Sequence, residues 1–547
     1  MDSGGSVASQ KIAIIGWDAA TFDVALPLAD TGHLPALARL MRQGGWGPLR
    51  STRHPISPTA WASFMTGMNP GKHGIFDFVG FRPDNRFRPL TGGALGAKTL
   101  WTHLSEAGRR VAVVNVPMTY PPEAVNGFII SGMDAPQQDR AFTHPPELED
   151  VLYDRFGGYR EGVRARGRPG TSVERFTRHY VDETCEVTRL HADITCHMLD
   201  THSIDFLMVV FTGPDRVQHA LGHLLEADVS PTDGIGRVYR ACDEALQRIT
   251  KRLNDRWITI VMSDHGARAY HRVFELSTWL ADQGWLRLRS QARWNQVNSS
   301  LAPVWRRLRR LIGRPLPTQL HLAQFLDRIV WEQTQAFALG AFGSIYINTR
   351  GRFPQGIVAP GREYEKVCQQ ITSQLLSARD PETGSPVVRS VHRSVDLYEG
   401  PYTHLAPDLL IETTDAYFVR NNLDQEQDRL TYPAGRYQGR SLAHSAKHTE
   451  QGMLVASGGP FVARSNQADA RIIDLAPTVL HLSGLPLPAD MDGEPLLDWL
   501  DPQYCEGHPV RWSDTRSVSA DADREASYDT QDEAAVESRL RDLGYLD

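Results

Sequence analysis

The stretch from Trp257 to Gly266 changes within a few residues from an apolar run to side chains that can bind a metal ion. Residues 257–262 are apolar or β-branched, and Asp264, His265 and Gly266 follow after one serine. A continuous run of this kind predicts a strand buried on both faces. Carboxylate and imidazole are common zinc ligands, and ligands of open α/β sheets bind beyond the carboxyl ends of the strands. Alternatively, Asp264 caps the following turn and His265 lies in a surface loop, so this stretch alone leaves both interpretations open.

Aspartate and histidine residues also lie next to three other predicted strands. They are Asp18 after residues 11–16, Asp215 and His219 after residues 205–211, and His444 and His448 before residues 452–458. Each has an ordinary alternative explanation, such as a helix cap, a surface pair or a loop position. Since the carboxyl ends of parallel strands meet at one edge of a sheet, these side chains can instead converge on one site. Two metal ions need about three protein ligands each. Aspartate and histidine without cysteine suit zinc, and manganese is an alternative.

Thr59 lies at the start of a helix predicted for residues 57–66. Pro58 is typical of a first helical turn, and Gly67 is typical of the position after the last one. A threonine hydroxyl is a poor nucleophile near neutral pH unless a cation or a base activates it. A helix N-terminus also stabilises negative charge and binds phosphate through its N–H groups. Thr59 is therefore a candidate nucleophile beside the metals, and a plain helix cap is the alternative.

The arrangement of these candidates requires a particular kind of sheet. Strands are predicted at 11–16, 111–117, 128–132, 205–211, 257–262 and 452–458, and helices within 98–108, 170–200, 233–254 and 473–480. This alternation predicts an α/β fold, with a mainly parallel sheet sandwiched between helices. Pro27 and Pro35 indicate that residues 22–43 form a loop and one helix, with a stop at Gly44-Gly45.

Changes in composition divide the chain into regions. We predict a disordered segment at 1–10, a catalytic core at 11–275 and 441–510, an insertion or cap at 276–440, and a polar tail with a C-terminal helix at 511–547. Strand patterns at 344–348 and 407–411 predict a smaller second sheet inside the insertion. The segment 274–334 is rich in tryptophan and arginine, and a solvated helix face is favoured there over a substrate or partner site.

The composition excludes several classes of protein. The chain has 547 residues, 41% of them hydrophobic, and a formal charge of −7, which argues against a general nucleic-acid or anionic-membrane binder. The five cysteines have no CxxC spacing, so neither a disulfide framework nor a cysteine metal site is expected. No apolar run reaches the roughly 18 residues of a transmembrane helix, and no signal peptide is evident. We therefore expect a cytoplasmic location.

Taken together, the candidate residues form a set of motifs with a recognisable order. The set comprises Asp18, Pro58-Thr59, Thr66-Gly67, His73-Gly74-Ile75, Gly213-Pro214-Asp215 with His219, Ser263-Asp264-His265-Gly266, and His448. It resembles the alkaline phosphatase superfamily, and within it the type I phosphodiesterase/nucleotide pyrophosphatase branch, over residues 10–270 and 440–500. Further stretches at 115–122, 343–352 and 406–410 resemble a bacterial group described as phosphohydrolases or phosphomutases. The resemblance implies an alkaline phosphatase-like fold along nearly the whole chain.

The resemblance also implies roles for these residues. One metal ion would be held by Asp18, Thr59, Asp264 and His265, and the other by Asp215, His219 and His448. His448 is preferred to His444 because its spacing ahead of the next strand is the one that the family shows. Thr59 would attack a phosphodiester or phosphomonoester of a small molecule and form a phosphothreonine, which water then hydrolyses. Two divalent metal ions, most readily Zn²⁺ with Mn²⁺ as the alternative, are the implied cofactors.

One position departs from the pattern of the nucleotide pyrophosphatases. Those enzymes place an asparagine shortly after the His-Gly-Ile motif, where it contacts the phosphoryl oxygen, whereas this chain has Asp77. A carboxylate would repel phosphate, so nucleotide specificity does not follow from the resemblance. Asn115, at the end of a predicted strand, is a candidate substrate-binding replacement for that amide.

Two other functions compete with hydrolysis. A phosphomutase or phosphotransferase would use the same site but keep an alcohol acceptor bound in place of water. A non-catalytic binding protein could retain the fold, although such a protein has no physical need for seven metal-binding groups. The sulfatase branch is disfavoured, because its Cys/Ser-x-Pro-x-Arg motif is absent around Thr59.

Overall fold

A computed structural model describes residues 10–81, 87–135, 141–163, 172–289, 326–340, 342–421, 430–434, 445–465, 470–518 and 530–542. The helices are α1 (Phe22–Asp30), α2 (Pro35–Gln43), α3 (Ser57–Thr66), α4 (Pro70–His73), α5 (Leu100–Glu106), α6 (Leu148–Phe156), α7 (Val173–Thr201), α8 (Gly213–Leu221), α9 (Gly234–Thr250), α10 (Leu276–Asp282), α11 (Arg362–Ser377), α12 (Ser394–Leu397), α13 (Leu475–Leu482), α14 (Pro502–Gly507) and α15 (Thr530–Asp542). The strands are β1 (Lys11–Trp17), β2 (Gly45–Arg50), β3 (Val79–Phe81), β4 (Phe87–Pro89), β5 (Val111–Val116), β6 (Gly127–Ser131), β7 (Thr143–His144), β8 (Phe206–Phe211), β9 (Trp257–Met262), β10 (Gly266–Ala269), β11 (Arg272–Glu275), β12 (Ala336–Ala338), β13 (Ser344–Ile347), β14 (Val388–Arg393), β15 (Leu409–Thr413), β16 (Tyr417–Arg420), β17 (Thr431–Pro433), β18 (Ala446–Thr449), β19 (Gln451–Ser457), β20 (Ala470–Arg471), β21 (Leu487–Pro488) and β22 (Trp512–Ser513).

A nine-stranded sheet forms the centre of the molecule. Its strand order is β20-β2-β19-β9-β1-β8-β5-β6-β7. The strands from β9 to β6 run parallel to one another, while β19 and β7 are antiparallel to their neighbours. In the middle of the sheet, Ile14 of β1 pairs with Met208 of β8 on one side and Ile260 of β9 on the other. The predicted α/β fold with a mainly parallel sheet is confirmed.

Helices cover both faces of this sheet. Along β1, the side chains of Ile12 and Ile14 enter one hydrophobic cluster, while Ala13, Ile15 and Trp17 enter the other. The first cluster also contains residues of α3, α5 and α13, and the second contains residues of α1, α2, α7 and α9. Burial on both faces explains why the strand sequences are continuously apolar instead of alternating.

The region between β1 and α3 differs from its prediction. Residues 22–43 form two helices, and Pro27 lies inside α1. Thr21 caps this nine-residue helix, and the burial of Val24, Ala25 and Leu28 stabilises it although Pro27 lacks an N–H donor. The stop predicted at Gly44-Gly45 is followed at once by β2, which pairs antiparallel with β19. The sequence of β2 contains two glycines and a proline, so this strand depends on a partner that is distant in the chain.

A third hydrophobic cluster combines residues from the later part of the chain with Phe78, Val79, Phe87 and Met133. Strands β12, β13, β15 and β14 form a four-stranded sheet, and β16, β11 and β17 form a three-stranded one. The strands predicted at 344–348 and 407–411 are confirmed as β13 and β15. Strand β11 ends at the residue before the predicted insertion, but it pairs with β16 and β17, which lie within the insertion. The domain boundaries remain a prediction.

Some sequence predictions concern residues outside the described part of the chain. These include the N-terminal segment 1–9, His444, and most of the arginine-rich segment, at 290–325. Among the described helices, none combines the length and the apolar character that a membrane span requires.

Candidate active site

The ends of two neighbouring parallel strands bring three metal-binding side chains together. Asp18 follows β1, and Asp264 and His265 follow β9; all three are almost fully buried. The His265 Nε2 atom lies 3.2 Å from Asp264 Oδ2 and 3.8 Å from Asp18 Oδ1. A hydrogen bond fixes one oxygen of each carboxylate: Trp61 Nε1–H donates to Asp18 Oδ2, and the Ala19 N–H donates to Asp264 Oδ1. We call Asp18, Asp264 and His265 the first group.

A second group comprises Asp215, His219 and His448. Asp215 and His219 lie one turn apart on α8, and Asp215 Oδ1 is 3.0 Å from His219 Nε2 and 3.2 Å from His448 Nε2. His448 lies on β18, which pairs antiparallel with β10, the strand directly after His265. The rings of His265 and His448 stack with centroids 3.7 Å apart. The two groups are therefore adjacent, and in each of them the candidate ligand atoms lie within 4.8 Å of one another.

The three imidazoles are oriented by backbone carbonyl groups. The Nδ1–H of His219 faces the carbonyl of Ala446, that of His265 the carbonyl of Gly266, and that of His448 the carbonyl of Pro55. A carbonyl only accepts, so in each neutral ring the proton lies on Nδ1 and the lone pair on Nε2. This is the second hydrogen bond that metal-binding histidines usually make. His219 Nε2 and His448 Nε2 are only 2.9 Å apart, so both nitrogens could bind the same cation.

Burial tunes the ionisation of both groups. It lowers the pKa of His265 to about 4 and that of His448 to about 3, so both rings are neutral at pH 7. Burial raises the pKa of Asp264 to about 7, and burial together with repulsion from Asp264 raises that of Asp18. For Asp215, burial favours the neutral form, but its interactions with His219 and His448 together outweigh burial and hold the pKa well below its ordinary value. A divalent cation would complement the clustered carboxylates and neutral imidazoles, so these residues fit such an ion.

Thr59 lies near the beginning of α3, a helix that contacts the first group. Ser57 Oγ is 3.2 Å from His265 Nε2, and Trp61 donates to Asp18, so residues before and after Thr59 in the chain contact the group. Thr59 is buried, and its Oγ1 has no hydrogen-bond partner among the described residues. The same holds for Asp18 Oδ1 and Asp264 Oδ2. No side chain caps α3, so its N-terminus can act on a charged ligand.

Two further residues from the sequence analysis have other partners. Asn115 is fully buried, its amide nitrogen donates to the Val210 carbonyl, and its oxygen accepts from the hydroxyl of Tyr159. A substrate-binding role for Asn115 stays a prediction, and these bonds do not support it. The Asp77 carboxylate accepts from the N–H of Phe78 and lies against Gly340, which comes from the region of the smaller sheet.

Several contacts of the site could not be found from the sequence. Ser57 and Trp61 are separated from Thr59 by only one residue each, but nothing in their type marks them as neighbours of metal ligands. Phe342 is also unexpected, because its ring lies 4.7 Å from that of His448 although 106 residues separate them in the chain. Only the glycine at 343 and the one at 340 hint at an unusual loop around it.

A cavity of about 670 Å³ adjoins His448. Its lining includes residues of α1, β2, β15, β16 and β18, together with Phe342. Pockets of 300–1,000 Å³ are typical of small-molecule sites. The cavity thus offers room for an organic group next to His448 of the second group.

Solved structures of known enzymes share this architecture. Phosphonoacetate hydrolase from Sinorhizobium meliloti 1021, in complex with phosphonoformate, superimposes with a TM-score of 0.54 at 15% identity, covering 86% of this chain and 94% of that one. The wild-type alkaline phosphatase PafA gives 0.52 at 13% identity, covering 91% and 100%. Murine ectonucleotide pyrophosphatase/phosphodiesterase 5 gives 0.50 at 13% identity, covering 90% and 100%. The fold is alkaline phosphatase-like. No curated protein matches the sequence.

With its alkaline phosphatase-like fold and its family match, the chain is a phosphoric ester hydrolase. Within that class, the chain belongs to the type I phosphodiesterase/nucleotide pyrophosphatase family, whose model matches residues 12–440. The family suggested by the motifs is thereby confirmed. The matched range includes Thr59 and every residue of the two groups except His448.

Proposed function

We propose that this protein hydrolyses a phosphodiester or phosphomonoester of a small molecule, with Thr59 as the nucleophile and two divalent metal ions as cofactors. The observation that carries the proposal is the placement of Thr59. Its unpartnered hydroxyl lies at an uncapped helix N-terminus, and neighbours on both sides of it in α3 contact the first group. Membership of a family of phosphoric ester hydrolases agrees with it.

The two groups would each hold one ion. Asp18, Asp264, His265 and the hydroxyl oxygen of Thr59 would hold the first, and Asp215, His219 and His448 the second. Oxygen and nitrogen ligands without sulfur favour Zn²⁺, with Mn²⁺ as the alternative. Ions bound there would favour ionisation of the Thr59 hydroxyl and offset the negative charge of the phosphoryl oxygens.

The protein's own residues would perform two displacements. In the first, a bond forms between Thr59 Oγ1 and phosphorus, the bond from phosphorus to the ester oxygen breaks, and the alcohol leaves with a proton. The N-terminus of α3 stabilises the negative charge during this step. In the second, water attacks the phosphothreonine and the Thr59 oxygen leaves, which restores the enzyme. Because each step inverts phosphorus, the net result is retention of configuration.

The contacts of the histidines and aspartates keep these groups in place. The carbonyls of Ala446, Gly266 and Pro55 fix the three rings with Nε2 toward the site. Trp61 and Ala19 fix the two carboxylates of the first group. Burial of the site excludes bulk water, which strengthens these electrostatic interactions. A site on strand ends and helix termini therefore needs little rearrangement during the reaction.

Replacement of the nucleophile tests the proposal. In zinc- or manganese-loaded protein, Thr59→Ala should lower kcat/KM for bis-p-nitrophenyl phosphate and p-nitrophenyl phosphate by roughly 10³-fold or more. Thr66→Ala, which removes another buried hydroxyl from α3, serves as the matched control and should stay within about threefold. If Thr59→Ala retains full activity, Thr59 is not the nucleophile.

Acid quenching during turnover distinguishes hydrolysis from phosphoryl transfer. Mass spectrometry of the quenched protein should find phosphate on the peptide that contains Thr59. In a sample left to react longer before quenching, this phosphate should have been released into water. Release only onto an added alcohol would identify a phosphotransferase or mutase instead. A loaded protein that cleaves neither aryl ester would contradict the hydrolase proposal.

A further inference from the structure

The lining of the cavity beside His448 contains two pairs of aromatic side chains. In one pair, Phe22 of α1 and Trp46 of β2 lie with ring centroids 5.2 Å apart. In the other pair, Phe342 and Phe418 meet edge to face with centroids 5.5 Å apart. Phe342 also contacts the His448 ring, so the second pair begins directly at a candidate metal ligand.

The cationic side chains of the cavity wall already have close partners. The Arg53 guanidinium is 2.5 Å from Glu450, and those of Arg268 and Arg389 are 2.8 Å and 2.7 Å from Asp415. Lys447 donates to the backbone carbonyls of residues 414 and 417. Since each of these four cations already has a close partner, the wall offers no strong site for a second anionic group of a ligand.

Phe342 adopts a backbone conformation that is unfavourable for phenylalanine. Its φ is +59°, in the left-handed region that phenylalanine rarely occupies, between Gly340 at +79° and Gly343 at +86°. Strain of this kind is found mainly at functional sites, where the surrounding structure maintains it. Two contacts at Gly340 fix the position of this loop. The Asp77 carboxylate packs so closely that an added Cβ would lie 2.2 Å from its Oδ2, and the Asn421 amide donates to the Gly340 carbonyl.

We propose that Phe342 and Phe418, with Phe22 and Trp46 in the lining of the same cavity, form a subsite for an uncharged planar group of the phosphoric ester, such as an aromatic ring. Aromatic side chains bind planar rings through stacked and edge-to-face contacts, and the paired charges add no preference for an ionic group. This inference rests on the proposed function, because the phosphoryl group of the same ligand would occupy the metal-binding groups. Phe342 is then a residue that determines specificity.

Three inhibitors that share a phosphate-like group test the subsite. Inorganic phosphate, methylphosphonate and phenylphosphonate are compared as competitive inhibitors of bis-p-nitrophenyl phosphate hydrolysis by the metal-loaded full chain. The wild-type protein should bind phenylphosphonate about tenfold more tightly than methylphosphonate. In Phe342→Asn, this preference should fall below about threefold, while the inhibition constant of inorganic phosphate changes less than about twofold. Asparagine tolerates positive φ, so the variant should melt at the wild-type temperature or above it.

A second variant and a control make the outcome decisive. Phe418→Leu should lose part of the preference for phenylphosphonate over methylphosphonate. This variant tests the subsite if Phe342→Asn fails to fold. Trp512→Asn, which replaces an exposed aromatic residue away from the cavity, should keep the full preference. Hydrolysis and phosphate inhibition without any ring preference, or a preference that survives both phenylalanine substitutions, would overturn the subsite alone. Absence of both hydrolysis and phosphate inhibition would overturn the proposed function and the subsite with it.

Discussion

At the scale of single residues, the second hydrogen bond of each histidine decides what the ring can do. His219, His265 and His448 all direct Nδ1–H to a backbone carbonyl and Nε2 toward a carboxylate of their group. Burial keeps His265 and His448 neutral, as their lowered pKa values show. A neutral ring with a fixed lone pair is the form that binds a metal ion.

Separate substitutions of His444 and His448 should show which of the two histidines is a metal ligand. His448→Ala removes one of three side chains of the second group, so we expect the metal content to fall from about two ions per chain to about one. His444→Ala should leave about two. Elemental analysis of protein dialysed against a zinc-buffered solution measures both. Loss of an ion from the His444 variant and not from the His448 variant would reverse the assignment.

His73 shows that membership in a motif does not imply contact with the metal site. It is fully buried; its Nδ1 accepts from the N–H of Ile75, and its Nε2–H donates to Ser63 Oγ. These two bonds use one acceptor and one donor, as only the neutral ring can. Burial lowers its pKa from 6.5 to about 3. Its role in the described structure is to join α3 to α4.

The depressed pKa of His73 predicts a pH effect on stability. Below pH 6.5 the unfolded chain binds a proton at this residue that the folded protein does not accept, so stability falls as the pH falls. The loss from one such group reaches about 1.4 kcal/mol per pH unit until the folded pKa of about 3. The thermal midpoint of His73→Gln should therefore fall less between pH 7 and pH 4.5 than that of the wild type. Equal falls in both proteins would show that His73 does not titrate in this way.

At the scale of elements, the pairing of β10 with β18 joins the two candidate metal-binding groups. His265 immediately precedes β10 and His448 lies within β18, so the register of this pair sets the position of one ring against the other. At Gly266, strand β10 lies close to the ends of both β18 and β19, since an added Cβ would lie 2.1 Å from the Gln451 carbonyl oxygen and 2.6 Å from Thr449 Oγ1. Only glycine allows this approach without a shift of the backbone.

Gly266→Ala should therefore damage both stability and metal binding. The clash with backbone atoms displaces β10 or β19, and we expect a cost of about 1–3 kcal/mol together with weaker zinc retention. Gly507→Ala, where an added Cβ meets nothing within 4 Å, is the matched control. Thermal unfolding and competition with a zinc chelator measure the two effects. A Gly266 variant as stable and as well loaded as the control would contradict this role.

At the scale of the whole molecule, the site concentrates like charges in the interior. Burial raises the pKa values of Asp18 and Asp264, and repulsion from Asp264 raises that of Asp18 further, so without a cation their ionised forms are disfavoured. Ionised, closely spaced carboxylates in a protein interior require a compensating charge. The folded protein should consequently bind divalent cations far more tightly than the unfolded chain does.

Metal removal should lower the stability of the whole protein. A ligand present at 100 times its Kd stabilises the folded state by about 2.7 kcal/mol per site, so chelation should reduce the Tm and added zinc should restore it. Asp18→Asn removes one carboxylate from the first group and Asp215→Asn one from the second. In each variant, the difference in Tm between the zinc-loaded and the chelated protein should be smaller than in the wild type. Calorimetry with and without EDTA provides the measurement. An unchanged Tm in the wild type would show that the two groups hold no stabilising ion.

Local patterns predicted the elements that are buried on both faces. The continuous apolar runs of β1, β8 and β9 predicted the central strands to within about one residue. Pro58 and Gly67 marked the two ends of α3 in the same way. By contrast, β2 and the helix around Pro27 were missed, because tertiary contacts stabilise them against their own local preferences.

The sequence by itself determined the chemistry that this protein has available. Aspartates and histidines at strand ends and a threonine at a helix start are local features, since strand ends and helix caps depend on neighbouring residues. Tertiary structure alone decided which of them meet, that Asn115 is engaged elsewhere, and that Phe342 lies over His448. Those contacts join residues that are tens to hundreds of positions apart, and their geometry depends on strand register and loop conformation, which no local pattern encodes.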